Sequence, residues 1–166
     1  APAACAPCCG CERVAESPRV AVVTAVLDDL DARTLPSVVA RLLALGALDV
    51  FVASGHGKKG RPALRLEVLA PDEPVRAALV DALFRETPTL GARWRWEERS
   101  TLPRRRREVQ TAFGPLPVKE GWLDGVVVTC QPELEDCLVA AQAHGVPLRV
   151  VIQAALVAAG LHADTP

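Results

Sequence analysis

Methionine is absent from the 166-residue sequence, which predicts that its first residue is not a natural start. We therefore expect the chain to begin after something was removed, or to be a piece of a longer protein. Long apolar runs are also absent: none reaches the ~18 residues that a membrane helix needs, and no basic-then-apolar signal peptide opens the chain. These absences predict a soluble cytoplasmic protein with no membrane partner.

An excess of charge of either sign is also lacking. The formal net charge is −1, which gives no general attraction for nucleic acid or acidic membranes. Lysine is scarce, and two of the three lysines, Lys58 and Lys59, are adjacent. The sequence is 50% hydrophobic and 23% charged, a balance typical of a globular chain with one ordinary domain or two small ones.

Four of the six cysteines crowd near the N-terminus, at Cys5, Cys8, Cys9 and Cys11. Thiolates suit soft ions such as zinc, copper(I) or nickel. A structural zinc site usually takes its ligand pairs from separate segments, and so short a segment can hardly wrap four sulfurs around one ion. Two interpretations remain: a cysteine-rich leader without a metal, or a loose thiolate clamp for a soft metal in transit.

The periodicity of the chain predicts an α+β fold. Residues 1–18 lack periodicity and indicate a tail or linker. Residues 19–100 predict a ferredoxin-like βαββαβ unit, one sheet covered on one face by two helices. Its expected strands are 20–27, 49–53, 64–68 and 92–99, and its expected helices begin near Leu35 and Asp72, the second with a buried stripe of Val75, Leu79, Leu83 and Phe84.

Residues 101–166 predict a second, small α+β unit made of a β-hairpin and helices. Two short strands flank the turn at residues 113–115, and a further strand is expected at 126–129. A helix is expected to begin at Pro132, and a last helix to cover 148–159 after the breakers Gly145 and Pro147.

A glycine-rich basic loop, residues 57–62, joins two central strands of the first unit. Lys58, Lys59 and Arg61 bring cationic donors together with free backbone amides, which suits phosphate oxygens. The spacing is not that of a P-loop. A solvated hairpin tip that carries charge for solubility explains the loop equally well.

A second anion-friendly segment, residues 84–93, leads from a helix end into a strand. It places the hydroxyls of Thr87 and Thr89 between Arg85 and Arg93. The alternative is a helix C-cap followed by a strand with an arginine face.

Two pairs of carboxylates are candidate metal ligands. Glu133 and Asp136 lie three residues apart at an expected helix start, so they share a helix face and could hold Mg²⁺ or Mn²⁺ against a triphosphate. Asp28 and Asp29 follow the first strand. Both pairs are also explained by the acidity that is common at helix starts.

In this order, these segments resemble the C-terminal domain of the nickel-insertion protein family, which makes the nickel-pincer cofactor of lactate racemase. The resemblance spans about residues 20–158 and departs from the family at Pro88 and at 24–26, where Thr-Ala-Val replaces Glu-x-Asn. The motifs that carry it are Asp28-Asp29, Gly46-Ala47-Leu48-Asp49-Val50, Lys58-Lys59-Gly60-Arg61-Pro62, Phe84 to Arg93, Pro132 to Cys137, and Gly145 to Leu148.

The resemblance implies a cyclometallase that uses CTP with Mg²⁺ or Mn²⁺. Such an enzyme inserts nickel into a pyridinium-3,5-bisthiocarboxylic acid mononucleotide. This chain would be the nucleotide-binding C-terminal part, partnered by an N-terminal nickel-binding domain and assembled as a homo-oligomer.

Residue roles follow from the resemblance and from the chemistry above. Glu133 or Asp136 would hold the divalent metal, with Asp28 as a further candidate. The expected nucleotide contacts are Lys58, Lys59, Arg61, Arg85, Thr87, Thr89 and Arg93. Two other functions stay open: a non-catalytic ferredoxin-like sensor or assembly module, and a soft-metal carrier that works through the N-terminal cysteines.

Overall fold

The computed structural model describes residues 15–160, which fall into two units. Of the described residues, Ser17–Arg99 form one unit, and residues 100–160 with residues 15 and 16 form the other. The described residues contain two sheets and four α-helices. The predicted α+β class is therefore confirmed.

The first unit has the predicted order of strands and helices, with longer strands than the sequence indicated. The elements are β1 Ala15–Leu27, α1 Leu35–Ala44, β2 Asp49–His56, β3 Pro62–Ala70, α2 Glu73–Glu86 and β4 Ala92–Thr101. Its sheet has the strand order β2-β3-β1-β4, with β3 antiparallel to both β1 and β2.

Alternate residues of β1 build the core of this unit. Ala21, Val23, Ala25 and Leu27 are at most 2% exposed and contact one apolar cluster. Both helices and the neighbouring strand contribute to that cluster, through Leu42, Leu66, Leu79 and Leu83 among others. Burying each such side chain stabilises the fold by about 1.5–3 kcal/mol, so the position of β1 is strongly fixed.

Helix α2 begins where the sequence predicts, but the prediction that Phe84 belongs to its buried stripe was wrong. The Asp72 carboxylate accepts a hydrogen bond from the backbone N–H of Val75 at 2.9 Å, which caps the helix. Leu79 and Leu83 are fully buried, but Phe84 is 48% exposed. Consecutive helical residues point about 100° apart, so Phe84 turns away from the face that Leu83 occupies.

The second unit extends the predicted hairpin into a three-stranded antiparallel sheet. Its elements are β5 Arg104–Thr111, β6 Gly114–Leu123, β7 Val126–Pro132, α3 Leu134–His144 and α4 Leu148–Ala158. The strand order is β5-β6-β7. Helix α3 begins at Leu134 rather than at Pro132, because the backbone of Pro132 still belongs to a strand and Glu133 is the N-cap.

Within the described residues, no single helix is long and apolar enough to cross a membrane. The pair α3 and α4 reaches that length and composition only when taken together, and it is bent by 119° at its break.

Gly121 marks a close approach between β6 and its surroundings in the second unit. It is the register partner of Thr129 on β7, and a bulge follows it in the strand. A Cβ atom at this position would lie 2.6 Å from Cγ2 of Thr129 and 3.1 Å from Cδ1 of Leu102. Only glycine fits here without displacing a neighbour.

We therefore expect Gly121→Ala to lower the free energy of unfolding by about 1–3 kcal/mol through overpacking. Denaturant unfolding measures the change. Adding Thr129→Ser removes the clashing methyl group and should recover part of the loss. Equal stability of the wild type and Gly121→Ala would show that this contact relaxes freely.

Candidate functional site

A cleft of about 500 Å³ opens in the first unit, where β1 ends and β4 begins. It is lined by residues 26–29 together with Thr24, and by residues 88–93. These two segments meet because β1 and β4 are neighbours in the sheet. The cleft therefore combines the acidic pair that follows β1 with the threonine–arginine segment that precedes β4.

The rim of the cleft carries charges of both signs. Asp28 and Asp29 are exposed on one side, and Arg93 is exposed on the other. Arg61 of the basic loop approaches the same acidic pair, with its Nη1 atom 4.0 Å from Oδ2 of Asp28. Both side chains of this ion pair are about half exposed, so it contributes little stability and is free to exchange partners.

The basic loop is a tight turn that presents its lysines to solvent. The Gly57 N–H donates to the Arg61 carbonyl at 2.8 Å, and the Gly60 N–H donates to the Gly57 carbonyl at 3.2 Å. Lys59 adopts the left-handed region, with φ of 65°. For a residue with a side chain that conformation costs about 1–2 kcal/mol. Lys58 and Lys59 are exposed and are not among the residues that line the cleft.

The two threonines of residues 84–93 are used differently. The buried Thr87 hydroxyl donates to the Leu83 carbonyl at 2.6 Å and so closes α2. The Thr89 hydroxyl donates to the Gly91 carbonyl at 3.0 Å, and Thr89 and Gly91 both line the cleft. Thr89 is therefore the threonine whose surroundings suit a ligand contact.

The two arginines of the same segment also differ. Arg93 lines the cleft, whereas Arg85 lies on the surface of α2 and is bound to Asp81 at 2.7 Å. The hydrogen bond from Arg85 lowers the pKa of the Asp81 carboxyl. Arg85 is thus already paired and is not a lining residue.

The second predicted acidic pair lies in the other unit. Glu133 precedes the first residue of α3, and its Oε1 atom lies 2.8 Å from Nζ of Lys119. Asp136 is exposed in the first turn of α3. Between residues 15 and 160, no group of three or more His, Cys, Asp or Glu residues is arranged to hold a metal ion. The candidate ligands Cys5, Cys8, Cys9 and Cys11 lie outside the described residues.

Sequence reasoning missed Thr24 as a lining residue of the cleft. Thr24 is 2% exposed and stands in a strand whose other residues from Val20 to Leu27 are all apolar. A single hydroxyl inside a buried apolar run was the available signal. Threonine is also a common strand residue, so the signal was weak.

The cleft has the chemistry of a site for an anion accompanied by a divalent cation. Arginine side chains bind phosphate or carboxylate oxygens. Mg²⁺ and similar hard ions take one or two protein carboxylates and complete their shell with phosphate oxygens and water. Asp28, Asp29, Arg93 and Arg61 supply both kinds of group at one place.

Known proteins are similar to this chain over most of its length. The model of the nickel insertion protein family matches residues 8–152. A protein of Myxococcus xanthus named as a nickel insertion protein is 43% identical over 139 residues, which cover 84% of this chain and 35% of that protein. A likewise named protein of Synechococcus sp. strain JA-3-3Ab is 40% identical, with coverages of 82% and 34%. The chain spans about a third of the length of these relatives.

Two solved structures share the fold. LarC2, the C-terminal domain of a cyclometallase involved in the synthesis of the NPN cofactor of lactate racemase, is 35% identical with a TM-score of 0.81, covering 86% of this chain and 98% of that one. A protein of Methanopyrus kandleri is 24% identical with a TM-score of 0.62 over 87% and 88%, a likeness of fold alone. The predicted resemblance is therefore confirmed, and the chain belongs to the nickel insertion protein family.

Proposed function

We propose that this chain is the nucleotide-binding C-terminal domain of a protein that inserts nickel during synthesis of the nickel-pincer nucleotide cofactor. Nickel is the metal substrate, and CTP with Mg²⁺ or Mn²⁺ is the bound nucleotide. The observation that carries the proposal is the cleft where Asp28, Arg93 and the approach of Arg61 meet. It is supported by the similarity to LarC2 over nearly all of that domain.

The triphosphate would lie along the charged rim of the cleft. Arg93 on one side and Arg61 on the other offer planar guanidinium groups that can bind two phosphate oxygens at once. Lys58 and Lys59 are exposed on the loop that carries Arg61, and they add positive charge at the phosphate tail. The Thr89 hydroxyl is available to a phosphate oxygen once it leaves the Gly91 carbonyl.

We assign the divalent metal to Asp28 and Asp29. Both carboxylates are exposed beside the arginines of the cleft, so a metal ion held there could also meet the phosphates. Glu133 is less suited because metal binding would have to displace its bond to Lys119. A role for Glu133 or Asp136 stays a prediction that the experiment on Asp28 also tests.

The remaining steps of the proposal concern the longer protein. Insertion of nickel into the pyridinium bisthiocarboxylate would need the N-terminal part that this chain does not span, since the relatives are about three times as long. Homo-oligomerisation and a cytoplasmic location also stay predictions. The chain alone is expected to bind the nucleotide.

Replacing Arg61 or Lys59 with alanine should weaken CTP binding in the presence of Mn²⁺. Each change removes a charge-assisted hydrogen bond worth about 1–3 kcal/mol, with the lower value expected at this exposed rim. Isothermal titration calorimetry measures the dissociation constant. Arg41→Ala removes an exposed arginine of α1 that does not line the cleft, and it serves as the matched control. Unchanged affinity in both loop variants would remove the loop from the site.

Replacing Asp28 with asparagine should raise the Mn²⁺ concentration needed for nucleotide binding by about tenfold or more, because a neutral amide is a poorer ligand for a hard cation. Thermal stability without ligand should change little, since the carboxylate makes only a weak exposed ion pair. Mn²⁺ titration at fixed CTP measures the shift. Asp136→Asn is the comparison, and the reverse ranking would place the metal at α3.

A further inference from the structure

We infer that the buried hydroxyl of Thr24 is the inner specificity contact of the cleft and receives an uncharged polar group of the bound nucleotide. That group is a ribose hydroxyl or a polar edge of the base. The inference rests on the proposed function and adds to it a residue that neither the basic loop nor the acidic pair contains.

The Thr24 hydroxyl has no hydrogen-bond partner among the described residues, although the side chain is almost fully buried. Thr24 is 2% exposed, and its Oγ1 atom is shielded from water. Nearly all buried polar groups in folded proteins are paired, because an unpaired one loses its bonds to water without replacement. An orphaned hydroxyl in a residue that lines a cleft points to a partner that arrives with the ligand.

The neighbours of Thr24 leave its hydroxyl unpaired. Val22 and Val26, which lie on the same face of β1, offer no polar atom. Across the sheet Thr24 is the register partner of Glu67, whose carboxylate is already bound by Arg65 at 2.7 Å. Valine has nearly the same shape as threonine and would fill this position without an unpaired group. The hydroxyl is therefore not required by packing.

The distance of Thr24 from the charged rim of the cleft indicates that the uncharged end of the ligand lies near Thr24. Asp28 lies four positions further along the chain, which is about 13 Å of extended strand at 3.3 Å per residue. One extended nucleotide can therefore place its phosphates at the charged rim and its sugar or base near Thr24. The carboxylate of Glu67 stands across the sheet from Thr24, so an anionic phosphate is less suited to this end of the cleft than an uncharged polar group.

The hydroxyl can reach the ligand by a small movement. A rotation of about 120° about the Cα–Cβ bond takes the hydroxyl to another staggered position, which the methyl group or the hydrogen occupied before. We expect nucleotide binding to favour the rotamer that turns the hydroxyl toward the cleft.

The test compares Thr24→Val with Thr24→Ser in the full 166-residue chain. Thr24→Val should raise the melting temperature of the ligand-free chain by a few degrees, because it removes an unpaired buried group. The same variant should bind CTP with Mn²⁺ about five- to tenfold more weakly by calorimetry. Thr24→Ser keeps the hydroxyl and should restore affinity. A purely structural role would move stability and affinity in the same direction.

Nucleotide analogues separate the two sources of the uncharged group. If the ribose is the partner, the difference between wild type and Thr24→Val disappears with 2′-deoxy-CTP or 3′-deoxy-CTP. If the edge of the base formed by N3 and the 4-amino group is the partner, it disappears with UTP. Equal CTP affinity of wild type and Thr24→Val overturns the inference while leaving the proposed function intact. Absence of CTP binding by the wild type overturns both.

Discussion

The burial of β1 is the constraint on which the candidate site depends. Residues 21, 23, 25 and 27 anchor the strand to one core that both helices of the first unit share. β3 and β4 flank β1 in the sheet. A strand held this firmly delivers its last residues to a fixed place, so Asp28 and Asp29 emerge beside the segment that leads into β4. The positions of Asp28 and Asp29 at the cleft are thus fixed by the apolar packing of β1 in the core.

The electrostatic arrangement at the rim favours exchange rather than stability. Asp28 and Arg61 form a long, half-exposed ion pair, which water weakens and which holds neither side chain in one geometry. The Arg85–Asp81 pair on α2 is shorter and joins neighbouring helix turns, so it is satisfied without a ligand. A polyphosphate with its cation can replace the first pair by offering each partner a better-matched charge. The Arg85–Asp81 pair is not part of the cleft lining, so the same ligand would not replace it.

Local sequence patterns predicted the elements well because their causes are local. The apolar run of β1, the helical spacing that begins at Leu35 and the capping residue Asp72 each act within a few neighbours. Phe84 was misjudged because it adjoins the buried stripe without belonging to its face. Pro132 was misjudged because proline suits the end of a strand as well as the first turn of a helix.

The cleft itself could not be predicted to the same depth, because it depends on which strands become neighbours. The sequence singled out Asp28, Thr89 and Arg93, yet nothing local says that β1 and β4 lie side by side and bring them together. It also ranked Thr87 equally with Thr89, since only the fold shows that the first hydroxyl closes α2. Thr24 was noted only as part of a departure from the family motif, because a hydroxyl in a strand becomes unusual only once its neighbours are known.

The residues of the cleft also indicate which part of the chemistry belongs to this domain. Its ionisable lining groups are two exposed carboxylates and one arginine, within the part of the chain that the structure describes. Carboxylate oxygens are ligands that hard cations such as Mg²⁺ take in proteins. Under the proposed function, these groups bind and orient the nucleotide with its cation. Nickel and its organic acceptor would then be handled by the parts of the longer relatives that this chain does not span.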